Sequence, residues 1–264
     1  MTHGGRRWLW VAVTIIALWL FLPAFAVLPM SLNNTNRMSV WPEDRSLRLY
    51  DQLFGEPQWT AALTRSFRIG AIVTVLAVVL GTLAALAIAR GYSRARRAGL
   101  NALILAPVII PVVIAAIASY SLYLEWNIVG SERALIFAHT SIAIPFVVIP
   151  VLASLRGINP TLEFAAQSLG ASRASAVWHV TLPLIRPGIA VGAFLAFMQS
   201  FDEVVLSLFL TGPLSRTLPV RMYSALIDDL DPTVAAAAAV IILFTTVAVV
   251  SIGVSRLSEA RGAH

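Results

Sequence analysis

Asp202 and Glu203 are adjacent carboxylates inside an otherwise apolar stretch, residues 189–210. An acid at the centre of a bilayer costs on the order of 2.5–3.5 kcal/mol on insertion scales, so such groups face protein or a water-filled path. Two readings stand for this pair. The carboxylates line a path and attract a cation, or one of them pairs with an arginine near the outer rim, Arg65 or Arg68, and is structural. On a continuous helix neighbours stand about 100° apart, so the two would not face one path equally. Tyr120 and Tyr123 close another apolar stretch. With Trp126 they read as an interfacial aromatic belt; the alternative is that their ring faces draw an ammonium group by cation–π attraction. His139 lies among apolar residues and reads as a polar helix contact. No His, Asp or Glu cluster has metal-ligand spacing, and no nucleophile–base set is visible, so neither a metal nor a catalytic residue is expected.

These residues need spanning elements to hold them. Of the 264 residues 58% are hydrophobic and 12% charged. That balance excludes an ordinary soluble domain and a disordered chain alike. There is no cysteine, hence no disulfide framework or thiol chemistry. Six apolar stretches, about 8–30, 69–89, 103–124, 135–155, 189–210 and 234–254, are each long enough to cross a hydrocarbon core of roughly 30 Å as helix. Lipid cannot satisfy open backbone groups, and the period-two pattern of barrel strands is missing, so helix is the expected structure. The expectation is an all-α polytopic membrane protein, residues 1–264 forming a single transmembrane domain. Pro107 and Pro111 should bend the third span. The first stretch runs past the signal-like Ala24-Phe25-Ala26 and reads as an uncleaved anchor.

The 19 basic residues are all arginine and the net charge is +6. In a soluble protein that excess would suggest nucleic acid; here it sets topology. With the N-terminus inside, the inner segments hold Arg6, Arg7, Arg90, Arg94, Arg96, Arg97, Arg156, Arg173, Arg186, Arg256 and Arg261 against Glu163 and Glu259. The outer segments are nearly balanced. Both termini are therefore expected in the cytoplasm, and no nucleic-acid partner.

Two connections are long. The outer one, 31–68, carries Leu47, Leu49, Tyr50, Leu53 and Phe54 between Trp41 and Trp59. It reads as an interfacial segment with aromatic anchors, or as a platform for a partner outside the cell. The inner one, 156–188, is far longer than a simple joint requires. Pro160-Thr161 suits a helix start, Leu162 to Leu169 has helix-forming composition, and Gly170 suits a break. A second helical stretch from Ser172 should end before Pro183. The small residues Ala165, Ala166 and Gly170 would let a partner's backbone approach closely.

Ala165 and Ala166 are followed at the fourth place by Gly170, then by nine residues and Val180-Thr181-Leu182-Pro183. This resembles the signature loop of binding-protein-dependent ABC importer permeases. That signature reads Glu-Ala-Ala, three residues, Gly, nine residues, Ile, any residue, Leu-Pro. Phe164 occupies the family's glutamate position, with Glu163 one place earlier, and Val180 replaces Ile. The resemblance spans nearly the whole chain. Ser46 to Tyr50, Leu53-Phe54, Trp59 and Ser66, the segment Ser200 to Pro213, Arg216 to Tyr223 and Asp231-Pro232-Thr233 resemble the spermidine/putrescine type.

The resemblance implies a type I importer permease of the bacterial inner membrane. The 156–188 loop, through Leu162, Glu163, Phe164, Ala165, Ala166, Gly170, Leu182 and Pro183, would couple to a cytoplasmic ATPase. No Gly-rich phosphate loop ending in Lys-Ser/Thr is present, so the chain is expected to be no enzyme and to bind no cofactor. ATP and Mg would sit on two partner ATPase subunits. A second, similar permease would complete the path, an extracytoplasmic binding protein would deliver the small-molecule solute, and membrane lipid would surround the pair. Polyamines are the expected cargo, moved by alternating access. The alternatives are the same importer type for 4-aminobutyrate, an aminophosphonate or an amino acid, and a proton-coupled secondary carrier using Asp202 or Glu203.

Overall fold

The computed structural model describes residues 3–35, 38–90, 93–213 and 215–262. Among the described residues twelve α-helices follow one another: α1 (His3–Met30), α2 (Arg48–Gly55), α3 (Pro57–Ala89), α4 (Arg94–Ile109), α5 (Val112–Glu125), α6 (Glu132–Arg156), α7 (Thr161–Ser168), α8 (Arg173–Ala176), α9 (Leu182–Phe201), α10 (Val205–Leu210), α11 (Leu218–Ser224) and α12 (Thr233–Gly262). Two π-helical turns, Val177–Thr181 and Ala225–Asp229, lie before α9 and after α11. Among the described residues there is no strand, only an isolated antiparallel bridge between Asn33 and Arg45. The side chains of Arg6, Arg7, Arg96, Arg256, Glu259 and Arg261, used above for orientation, lie outside the described residues.

Five segments are long and apolar enough to cross a membrane: Trp8–Met30, Pro57–Ala89, Glu132–Arg156, Arg173–Phe201 and Thr233–Ser251. A bent pair, Arg97–Ile109 and Val112–Glu125, meeting at 98°, stands where the third of the six expected spans falls, and makes a sixth crossing if the pair counts as one span. Pro111 lies at this break. It lacks an N–H and disfavours helical backbone in the residue before it. Pro107 is accommodated inside α4. The expected bend is thus real but sharper than a kink, and it falls at one proline only.

The chain divides into two compact units, Met1–Ala61 with Arg221–His264, and Ala62–Val220. In the first, α12 packs on α1 and α2. Leu49 and Leu53, one helical turn apart on α2, are fully buried, as is Trp59 at the start of α3. The Arg221 guanidinium stacks 5.0 Å over the Trp59 ring and reaches Asp231 at 4.0 Å. Ser31 and Tyr50 share a 2.7 Å hydrogen bond. The connection expected to float at an interface is therefore tied into this unit. Its non-helical part is shorter than expected, because α3 begins at Pro57 rather than near Ile69. Trp41 alone of the two tryptophans is exposed.

The second unit is built on α6, whose main neighbour is α9. Gly188 and Gly192, four residues apart on one face of α9, let the two backbones approach. A Cβ on Gly188 would lie 2.8 Å from the Pro150 carbonyl oxygen, and one on Gly192 would lie 3.0 Å from the Val147 Cα. From the other side, a Cβ on Gly81 of α3 would meet the Val147 side chain at 2.8 Å. Close packing of this kind replaces the hydrophobic drive that lipid does not supply. Val147, Val148, Val151, Ala143 and Ile185 fill the core so formed.

The stretch after Ser172 departs from expectation. The helix does not stop before Pro183 but continues through it, Arg173 to Phe201, by way of the π turn. The amide of Leu182 bonds to the Val177 carbonyl, five residues back. This wider turn eases the clash that a proline ring makes with the carbonyl four residues before it.

Candidate functional site

Two arrangements matter, both within the unit 62–220. The first surrounds Asp202 and Glu203. They do not lie on a continuous helix as expected. Helix α9 ends at Phe201 with Asp202 as its C-cap, and α10 begins at Val205. A helix can stop inside a span only where its freed backbone groups find partners. Here the Glu203 carboxylate supplies one, accepting a 3.0 Å hydrogen bond from the Leu206 amide. Gln199 Nε2 stands 3.5 Å from its other oxygen. Glu203 is 8% exposed, whereas Asp202 is exposed. The break therefore separates two carboxylates that spacing alone could not: Glu203 caps α10, and Asp202 faces open space.

That space is a hollow of about 320 Å³, lined by Phe146, Leu195, Met198, Gln199, Asp202 and Glu203. A second hollow of about 390 Å³ shares Phe146, Gln199 and Glu203 and is otherwise lined by residues 107–112 and Ile142. The breaks in the third and fifth spans thus border the same region. Phe146 and Gln199 were not singled out from the sequence. A glutamine one turn before an intramembrane acid was the available signal for Gln199; nothing marked Phe146 among its apolar neighbours.

His139 secures the fifth span from behind. Its ring is fully buried, with Nδ1 3.0 Å from Ser200 Oγ and Nε2 3.2 Å from Ser207 Oγ. It is a satisfied polar contact, as the sequence suggested. Arg65 and Arg68 do not reach the acids; both pair with Glu132, Arg65 at 3.1 Å, and Arg65 also donates to the Arg216 carbonyl at 3.1 Å. Tyr123 is buried and stacks on Trp126 at 5.6 Å between ring centres. Tyr120 is 38% exposed, and neither tyrosine lines the two hollows.

The second arrangement is the loop 157–172. Helix α7 occupies Thr161–Ser168, as its composition implied, with Asn159 Oδ1 accepting from the Thr161 amide at 3.1 Å. Gly170 turns the chain at φ +93°, a conformation that side-chain-bearing residues rarely adopt. Ser172 then caps α8 through the Ser175 amide at 3.2 Å. One face of α7, Glu163, Ala166 and Gln167, is half-buried. The other presents Leu162, Phe164 and Ala165 to the outside, followed by Leu169, which is 90% exposed. Leu182 and Pro183 lie at the foot of α9, partly buried. Glu163 is turned inward: it pairs with Arg90, just beyond α3, at 2.5 Å and accepts from Thr181 in the π turn. Phe164, at the signature's glutamate position, projects outward.

A fold of apolar helices, two of them broken beside a common hollow, with a short exposed helix carrying the Ala-Ala-x-x-x-Gly spacing, fits a membrane transport permease. The chain belongs to the family described as binding-protein-dependent transport system inner membrane component, whose model matches residues 77–259. It is 28% identical over 239 residues to the spermidine/putrescine transport system permease protein PotC of Escherichia coli (strain K12), covering 90% of each chain. It is 31% identical over 254 residues to the molybdenum transport system permease protein ModB of Mycobacterium tuberculosis (strain ATCC 25618 / H37Rv), covering 89% of this chain and 92% of that one. Among solved structures, a bacterial alginate ABC transporter in complex with an alginate pentasaccharide-bound periplasmic protein superposes with a TM-score of 0.69 at 21% identity. The match covers 94% of this chain and 92% of that one. The chain is an ABC importer permease subunit, a multi-pass inner membrane protein, and not an enzyme.

Proposed function

We propose that this subunit forms half of a path for a small organic cation, a polyamine such as putrescine or spermidine, in a bacterial inner membrane. The observation that carries the reading is the exposed Asp202 carboxylate in the hollow at the break of the fifth span. An uncompensated acid in a low-dielectric wall favours a cation and disfavours an oxyanion. Likeness to the spermidine/putrescine permease PotC points the same way, while likeness to the molybdenum permease ModB points to a different cargo.

The ATPase that drives the path is a separate pair of subunits, which hold ATP and Mg and meet the outward face of α7. A second permease closes the hollow from the opposite side, and an extracytoplasmic binding protein presents the solute. Both termini lie in the cytoplasm by the arginine distribution. ATP binding favours one state of the ATPase pair over the other, and the loop 157–172 passes that difference to the spans.

Uptake of labelled putrescine and spermidine in a strain lacking the gene, with and without complementation, tests this. Loss of uptake restored by the gene is expected. Unchanged uptake in a strain with no other polyamine importer would move the cargo to another solute.

A further inference from the structure

The break at 202–204 divides the fifth span into two pieces that share no backbone hydrogen-bond ladder. Helix α10 packs on α5 and α6 with Leu206 and Leu210 buried in the core, and its register against α9 rests on side-chain contacts. Glu203, at the break itself, meets Gln199 on α9 and the Leu206 amide on α10; from outside the fifth span, His139 also touches a polar group on both pieces. Its two ring nitrogens reach Ser200 on α9 and Ser207 on α10 at 3.0 and 3.2 Å. All three side chains are buried: His139 and Ser207 are wholly inaccessible and Ser200 is 4% exposed. A neutral imidazole offers one donor and one acceptor, and a serine hydroxyl can be either, so both bonds form in either tautomer. The two serines are seven residues apart and bracket Asp202 and Glu203.

We propose that His139 is a positioning residue, the pin that keeps the two halves of the broken fifth span in register and so sets the shape of the hollow that Asp202 faces. Without it, α10 keeps its apolar packing on α5 and α6 and the Glu203–Leu206 bond, but loses the polar contact that ties it from α6 to the end of α9. The pin acts through Ser200 and Ser207 and does not touch the solute. Its role in solute handling rests on the hollow being part of the path; its role in shaping the hollow does not.

The test uses the complete importer in proteoliposomes. The protein has no cysteine, so Met198→Cys places one thiol on the hollow wall. Reaction of that thiol with a water-soluble maleimide reports the hollow's shape without reference to any solute. On this background His139→Leu, which keeps the bulk and removes both bonds, should change the labelling rate at least threefold and raise the KM for putrescine. His139→Asn and His139→Gln, each able to keep one of the two bonds, should fall between His139→Leu and the parent. Unchanged labelling in His139→Leu protein of normal abundance would overturn the proposal. If His139→Leu does not reach the membrane, Ser200→Ala and Ser207→Ala remove the partners one at a time, and the same criterion applies to them. Absence of putrescine uptake by the parent importer would remove the polyamine reading and leave the labelling result to decide the pin.

Discussion

The Glu163 carboxylate lies 2.5 Å from the Arg90 guanidinium, joining α7 to the residue that follows α3. Thr181 donates to the same carboxylate oxygen from the π turn below α9. One side chain on an eight-residue helix thereby meets the ends of two spans. Under the proposed coupling role of α7, a push on it would be passed to α3 and α9 together rather than absorbed by a loose loop. Both partners of the pair are partly solvated, so its contribution to stability is only about 0.2–1 kcal/mol. Its value is geometric.

Glu163→Gln and Arg90→Gln should therefore leave membrane abundance and thermal stability nearly unchanged. Each should lower ATP-driven uptake severalfold while ATPase activity persists, an uncoupling that paired assays on one preparation detect. The exchanged pair, Glu163→Arg with Arg90→Glu, should recover part of the loss.

Gly170 is argued on conformation rather than space. Nothing lies within 4 Å of a Cβ placed there, but its φ of +93° is strained for any other residue. Gly170→Ala should weaken the corner by roughly 1 kcal/mol and reduce coupling modestly. Gly170→Glu adds a charged side chain beside the exposed Leu162, Phe164 and Leu169. It should abolish transport with the protein still in the membrane, as a transport assay with a membrane-fraction immunoblot would show.

The two acids of the fifth span should respond differently. Asp202→Asn removes only a charge facing the hollow, so uptake of a dication should fall at least tenfold at normal abundance. Glu203→Ala removes the carboxylate that caps α10. Loss of such a cap costs about 0.5–2 kcal/mol, so abundance or melting temperature should fall with transport. Thermal melts of detergent-purified variants separate the two outcomes.

Gly188 sets the closest approach of α9 to α6. Gly188→Val would drive a side chain into Pro150 and Ser154. Overpacking of this sort typically costs about 1–3 kcal/mol. The variant should melt lower than the parent, whereas a change at the open Gly99, with nothing within 4 Å, should not.

Much of this was legible in the residues. Apolar length located the spans, and Pro160, Gly170 and the intervening composition located α7 to within a residue, because those signals are local. What failed was set by tertiary partners. At the break, Glu203 accepts from the Leu206 amide and His139 meets both serines, and His139 is some sixty residues away in sequence. The passage of the helix through Pro183 depends on a π turn that no composition announces. Leu49, Leu53 and Trp59 looked interfacial until α12 and Arg221 were brought against them. The salt bridges of Glu132 with Arg65 and Arg68 likewise link positions more than sixty residues apart.

The most direct test is ATP-dependent uptake of labelled putrescine into proteoliposomes holding the complete importer, comparing the parent with Asp202→Asn at matched protein. The account predicts saturable uptake by the parent and at least a tenfold loss in the variant, with ATPase activity retained. Equal putrescine uptake by both would contradict the assignment of Asp202 to the path of a cation.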